Sequence, residues 1–234
     1  SDAGVKKFIH VSTVGAIGAA KLSEKEARCS EKTVYNLEGT KIPYLLTKHH
    51  AEIELLKLAE KSKTELIIVN PSIIIASKDS GLTGREYIKR LFSRFFLPEI
   101  PNLINLVDIR DVAVGTIAAL RKGKRNERYI LGGENITIRN LILMISAILG
   151  KAPHLISIPR PLMEVSVRMF FGILNLQNKG KSKISSGLIN LLDYNWVYTS
   201  RKAHEELDYR TRSLQSSLRE ILQGSLKGTP SNPE

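Results

Sequence analysis

Short apolar runs alternate with amphipathic stretches along this chain. Val5 to Val11 is a β-branched run after Gly4 and predicts a strand, with the hydroxyls of Ser12 and Thr13 at its end. From Pro43 the period becomes helical. Proline suits a first helical turn, where its missing N–H would have no partner. Leu45, Leu46, Ile53, Leu56 and Ala59 can share a broad apolar face, with Lys57, Glu60 and Lys61 toward water. Leu66 to Val69 is apolar throughout, as in a parallel strand covered on both faces, and Pro71 should end it near Asn70. Further strands are expected at Leu103 to Val107 and Arg128 to Leu131. Helices are expected at Arg85 to Phe96, Ile109 to Leu120, Leu162 to Leu174, Gly187 to Leu192, Arg201 to Leu207 and Leu214 to Leu222. Another runs from a Thr137 cap to Leu149, with Gly150 as its stop. Gly15 to Thr40 reads as irregular and polar.

The βα alternation predicts an α/β fold on a parallel sheet. Residues 1–150 form the expected sheet-bearing domain, 151–227 a mainly helical cap, and 228–234 a disordered tail. Ligands of open parallel sheets bind at the carboxyl ends of the strands. Ser12, Thr13 and Asn70-Pro71-Ser72 are therefore expected on one rim.

Composition narrows this little. With 234 residues, 42% hydrophobic and 25% charged, the chain is ordinary globular protein. The net charge of +12 raises the weight of anionic ligands, nucleic acid or a membrane surface as partners. The basic runs Arg121-Lys122-Gly123-Lys124-Arg125 and Lys179-Gly180-Lys181-Ser182-Lys183 nonetheless read first as a solvated helix end and a solvated loop, with no interleaved aromatics. A lone cysteine, Cys29, excludes an internal disulfide and suits a reducing, cytoplasmic setting. It reads as a bystander thiol. No run approaches the ~18 apolar residues of a membrane span, and the five histidines show no zinc-type spacing, so no metal is expected. His49 and His50 read as helix-surface residues, and Glu52 and Glu54 as a solvated helix face.

The candidate chemistry lies in Thr13, Tyr44 and Lys48. Residues four apart stand on one helix face. An ammonium near a phenol favours the phenolate and lowers its pKa from about 10 toward working pH. Such a phenol can give or take a proton at a substrate oxygen, and Thr13 or Ser12 can hold that oxygen by a hydrogen bond. A Tyr-x-x-x-Lys match alone means little, since about one is expected by chance, and Tyr198/Lys202 is a second. Only Tyr44 opens a long helix between a hydroxyl-bearing strand and a buried strand. Tyr198 reads as structural. These groups move protons only; a hydride would need a nicotinamide.

Lys7-Phe8-Ile9-His10-Val11-Ser12-Thr13, Pro43-Tyr44-Leu45-Leu46-Thr47-Lys48 and Val69-Asn70-Pro71-Ser72 resemble the extended short-chain dehydrogenase/reductase family. So do Leu106-Val107-Asp108-Ile109-Arg110-Asp111-Val112-Ala113 and the stretch from Arg201 to Tyr209. The similarity is nearest its NAD-dependent epimerase/dehydratase and dihydroflavonol-reductase-like members. The resemblance implies a Rossmann-like sheet with a helical C-terminal substrate cap. It implies NAD or NADP as cofactor, and a sugar-nucleotide, steroid-like or flavonoid-like substrate. Thr13 and Tyr44 would be catalytic. Lys48 would assist Tyr44 and bind the nicotinamide ribose, with Ser12, Asn70, Pro71, Ser72 and Ile73 along the nicotinamide. Asp111 would support the pocket, and Arg110 reads as a surface residue ahead of an anion contact. A Gly-rich phosphate turn is not found: Gly15-Ala16-Ile17-Gly18 is too short and follows the wrong strand. The fold is thus expected to be N-terminally truncated, with the first half of the sheet upstream of Ser1 and with the Phe8 and Leu66 strands short of neighbours. A homodimer is carried as a further expectation. The competing reading is a non-catalytic scaffold that binds RNA, a membrane surface or a protein partner.

Overall fold

A computed structural model describes residues 4–24, 26–76, 97–98, 101–150, 152, 155–156, 162 and 190–223. The expected helices at Arg85–Phe96 and Leu162–Leu174 lie outside these residues, apart from the single position Leu162.

The first strand, β1 (Lys7–Val11), is followed by a 3-10 turn (Val14–Ala16), a short β2 (Ala20–Lys21) and the helix α1 (Pro43–Glu60). Then come β3 (Glu65–Pro71), β4 (Ile73–Ile75), β5 (Leu97–Pro98), β6 (Leu103–Asp108) and α2 (Ile109–Lys122). After these stand β7 (Glu127–Leu131), β8 (Glu134–Thr137), α3 (Ile138–Leu149) and β9 (Leu155–Ile156). The C-terminal part holds β10 (Tyr194–Asn195), α4 (Arg201–Leu207) and α5 (Leu214–Gln223).

The main sheet is parallel in the order β1-β3-β7, in register Ile9↔Ile67, Val11↔Val69 and Val69↔Tyr129. The Phe8 and Leu66 strands therefore do find sheet neighbours: they pair with each other, and β3 gains β7 on its far side. Among the described residues β1 is an edge, with Phe8 and Val11 about half exposed. The uniformly apolar β3 is buried along nearly its whole length. Alternate residues serve opposite faces. Leu66 and Ile68 pack with Ala59 of α1, while Ile67 and Val69 pack with Tyr129, Leu131, and Val112 and Ala119 of α2. This is a doubly wound α/β arrangement.

The helix ends follow local chemistry. The Asp108 carboxylate accepts from Arg110 N and caps α2, and Thr137 Oγ1 accepts from Asn140 N and caps α3. Gly150 ends α3 in the left-handed region at φ 65°, where glycine costs least. In α1 the buried positions Leu45, Glu52 and Ala59 recur every seven residues, along one line of the helix.

A second sheet, β4-β6-β8, stands after the strand ends of the first. The stretch Gly15 to Thr40 is more ordered than its polarity suggests. Its β2 pairs antiparallel with β10, and Cys29, buried, bridges to Tyr198. Side-chain amides stitch residues 190–200 to β6 and β8. Asn102 Nδ2 donates to Leu192 O and Tyr194 O, Asn195 Oδ1 accepts from Leu103 N, and Asn135 makes two bonds with the backbone of Tyr198.

The Gly132-Gly133 turn sits where the sheets meet. A Cβ at Gly133 would fall 2.2 Å from Leu106 O and 3.0 Å from Val107 Cα. Both are backbone atoms and cannot swing away. Gly133→Ala is expected to cost about 1–3 kcal/mol through forced separation of β6 from this turn. Urea denaturation checks it; an unchanged midpoint would mean the two backbones are not held this close.

Candidate functional site

Because β1, β3 and β7 are parallel, their carboxyl ends share one rim. An open cleft of about 380 Å³ lies there, lined by residues that include Ser12, Thr13, Tyr44, Pro71, Ser72 and Ile73. Six of the eight residues expected at the site thus line one cavity. The other two are not among the lining residues: Lys48 is half-buried beside the end of β1, and Asn70 is fully buried.

Thr13 caps the 3-10 turn, its Oγ1 accepting from Gly15 N at 3.3 Å. Tyr44 is in the first turn of α1 and 57% exposed, with its hydroxyl bonded to no described residue. Lys48 is one turn on; its ammonium donates to Val11 O at 3.5 Å, reaching the end of β1. His49 is not a plain surface residue. Its ring stacks on Tyr35 at 3.6 Å and its Nδ1 meets Ala16 O at 2.8 Å, pinning α1 to the turn after Thr13.

Beneath the rim lies a polar layer that the sequence reading missed. Asn70 is fully buried, and its Nδ2 donates to the backbone oxygen of Thr13 at 3.0 Å and to Glu52 Oε1 at 2.6 Å. Glu52 is not on a solvated face: it is 1% exposed, and its Oε2 stands 3.5 Å from Arg128 Nη1. The signal was its place on the Leu45–Glu52–Ala59 line, outweighed by the expectation that a glutamate faces water. His10 is held below its ordinary pKa by burial and by the nearby Lys48 ammonium, partly countered by Glu52. Four oxygens here, Ser12 Oγ, Ser72 Oγ, Asn70 Oδ1 and Glu52 Oε2, are buried without a hydrogen-bond partner among the described residues, Oε2 having only the Arg128 guanidinium at ion-pair range.

Trp196, which the sequence did not flag, comes from the far end of the chain and lines the same cleft. Its N–H donates to Leu103 O, tying it to β6. The lining also includes Val11, Val14, Leu45, Ile73 and Ile74, so much of the wall is apolar.

The other candidates are absorbed by structure. Tyr198 is 2% exposed and its hydroxyl donates to Gly18 O at 2.7 Å. Burial pushes its phenol well above the ordinary 10. Lys202 pairs with Glu127 and donates to Arg128 O. Arg110 is neither free nor turned to the cleft: it grips Asp108 through Nε and Nη2 and reaches Glu220. Asp111 accepts from Arg212 N and pairs with its guanidinium. In the first basic run Lys122 pairs with Asp208, Lys124 with Glu206, and Arg125 donates to the carbonyls of Ala59 and Ser62. The second run lies outside the described residues. Among the described residues no helix is long and apolar enough to cross a membrane, and no group of three His, Cys, Asp or Glu is placed to hold a metal.

Known proteins share sequence and fold with this chain. Residues 2–111 match an NAD-binding family described as "Male sterility protein". A Synechocystis sp. protein named "Putative dihydroflavonol 4-reductase" is 35% identical over 153 residues, which are 63% of this chain and 43% of that protein. "Sterol demethylase protein B" of Methylococcus capsulatus is 30% identical over 179 residues, 75% of this chain and 50% of that protein. The chain spans about half the length of these curated relatives. The crystal structure of gox2253 is 27% identical, with a TM-score of 0.74 over 95% of this chain and 66% of that one. Solved nucleotide-sugar epimerases and dehydratases at 16–21% identity share the fold at TM-scores of 0.66–0.67, two of them titled as complexes with NAD.

Proposed function

We propose that this chain, which belongs to the extended short-chain dehydrogenase/reductase family, carries the proton-transfer site of an NAD(P)-dependent enzyme acting on a hydroxyl or carbonyl carbon. The observation that carries this is the shared cleft: Thr13 and Tyr44 line one cavity at the strand ends, with Lys48 one helical turn behind Tyr44.

Tyr44 is the acid/base. Its exposed phenol stands where a substrate oxygen can meet it, and it gives or takes the proton there. Thr13, at a fixed turn, donates a hydrogen bond to the same oxygen and steadies charge as it develops. Lys48 places a cation beside the Tyr44 helix face and the end of β1. The residues present fit a nicotinamide cofactor, since the buried hydroxyls of Ser12 and Ser72 await partners at this rim. Ser12, Pro71, Ser72 and Ile73 would flank the nicotinamide and Lys48 the ribose, with Asn70 supporting them from beneath the rim. Such a cofactor, when bound, supplies the hydride acceptor or donor that no side chain can be.

The wall of Val11, Val14, Leu45, Ile73, Ile74 and Trp196 favours an apolar, ring-bearing alcohol or ketone over a highly charged sugar nucleotide. The names of the two curated relatives point to the same substrate class. The test is absorbance at 340 nm with NADPH and NADH against flavonoid ketones, steroid ketones and UDP-sugars, using the longest natural reading frame that contains this chain. Reduction of flavonoid or steroid ketones is expected. Turnover of UDP-sugars alone would overturn the substrate class, and no turnover across the panel would count against the enzyme reading.

A further inference from the structure

We infer that Glu52 is a positioning residue of the Thr13–Tyr44 site: its buried carboxylate fixes which way the Asn70 side-chain amide faces, and that amide anchors the backbone of Thr13. This positioning role rests on the oxidoreductase reading above; the local coupling does not.

Asn70 faces two groups at one end of its amide, the backbone oxygen of Thr13 at 3.0 Å and Glu52 Oε1 at 2.6 Å. A backbone carbonyl and a carboxylate both only accept. The NH2 end of Asn70 alone can satisfy them, so its orientation follows from chemistry. The opposite end, Oδ1, has no partner among the described residues and gives no competing reason for this orientation. Asn70 is fully buried, so water does not offer an easy substitute.

The carboxylate is the element that makes the orientation unique. Glu52 Oε2 lies 3.5 Å from Arg128 Nη1, and Arg128 carries only donors. Glu52 Oε1 thus accepts a hydrogen bond from β3, while Oε2 makes none and has the β7 guanidinium at ion-pair range. A neutral amide of the same size would present one oxygen and one NH2 to two donors. If its oxygen turned to Arg128, its NH2 would face Asn70, and Asn70 would be pressed to turn its own oxygen toward the Thr13 carbonyl. The chain of contacts from Arg128 through Glu52 and Asn70 to Thr13 joins four separate segments beneath the rim. Glu52 is also four residues after Lys48 and eight after Tyr44, on the same side of α1. One helix face thus presents an acid/base, a cation and an anchoring anion in order of increasing depth: Tyr44 is exposed, Lys48 half-buried and Glu52 buried.

The experiment is NMR on the isotopically labelled chain, following the Asn70 side-chain amide, the Thr13 carbonyl carbon and the Gly15 amide, whose N–H donates to Thr13 Oγ1. In the parent chain, the Asn70 amide protons should exchange with water at least about tenfold more slowly than those of exposed asparagines. That measurement needs no variant, and fast exchange would overturn the inference. In Glu52→Gln, which keeps the volume, the Asn70 pair should lose protection and the Thr13 and Gly15 signals should move. In Arg128→Met, which removes the ion pair but leaves both acceptors, they should stay. Unmoved signals in Glu52→Gln would reduce Glu52 to a space-filling group. Equal disturbance in Arg128→Met would reduce it to a counterion. No substrate enters these measurements, so a failure of turnover, which would end the oxidoreductase reading, leaves the coupling to be judged by its own signals.

Discussion

Tyr44→Phe is expected to lower kcat by about 10²–10⁴-fold while the fold is kept. Positioned acid/base groups contribute on that scale, and phenylalanine has no proton to give. The hydroxyl makes no bond to any described residue and the side chain is 57% exposed, so its loss removes no internal hydrogen bond found here. Circular dichroism and thermal midpoint should match the parent, with the loss confined to 340 nm turnover on whichever ketone the screen identifies. Tyr198→Phe is the control, because it stands in the other Tyr-x-x-x-Lys match. Its hydroxyl does have a structural task, donating to Gly18 O from a fully enclosed position. That variant should lose about 1–2 kcal/mol of stability and keep its kcat. Full turnover in Tyr44→Phe would remove Tyr44 from the chemistry.

Asp108→Ala should be the most damaging stability change among the polar substitutions considered, at about 3 kcal/mol. Asp108 is 5% exposed, caps α2 and holds the Arg110 side chain through both carboxylate oxygens. Loss of a cap costs about 1 kcal/mol, and breaking a buried pair adds more. Arg110 is 45% exposed and keeps Glu220, which holds the total below a fully buried pair. Asp108→Asn can still cap and should cost less, isolating the charge. Burial would push the Asp108 carboxyl up, but the hydrogen bonds from Arg110 and its charge hold it well below the usual carboxylate range. A carboxyl depressed in the folded state contributes stability above its unfolded pKa of about 3.9. That contribution disappears as pH falls from about 4 toward the lower folded value. The stability gap between parent and Asp108→Asn, measured by urea titration at pH 7, 5, 4 and 3, should be constant down to about pH 5 and narrow below 4. A gap that widens in acid would contradict this linkage.

Much of the fold was readable because its signals are local. Leu66 to Val69 has no polar alternative to burial, the β-branched residues of Val5 to Val11 favour a strand, and Pro43, Thr137 and Gly150 mark helix ends through backbone chemistry that neighbours do not alter. The cleft residues were readable for the same reason: strand ends in a parallel sheet must share a rim. Glu52, Trp196 and the Tyr35–His49 stack were not readable. Each depends on a partner far along the chain: Glu52 needs Asn70 and Arg128, and Trp196 needs Leu103. The cations of Arg121–Arg125 read as a solvated helix end and are exposed, and three of them also reach acids or carbonyls of other segments, which the sequence could not show. Arg110 is engaged for the same reason, because a capping carboxylate two residues earlier is the nearest partner for its guanidinium.

The stitching of Tyr198 to Gly18 and of Trp196 to Leu103 carries a consequence for biosynthesis. A ribosome delivers Thr13, Tyr44 and Lys48 early and Trp196 late, roughly ten seconds or more apart at ordinary rates of synthesis. Contacts between such distant segments also form slowly, because a long loop must close before they are made. The nascent polypeptide therefore holds its proton-transfer side chains well before it has the far wall of the cleft. A chain interrupted at residue 189 would keep all three of those side chains but lose Trp196 together with Tyr198, Leu207 and Leu218 of the core, so failure to reach a stable fold is the expected phenotype of a late stop codon.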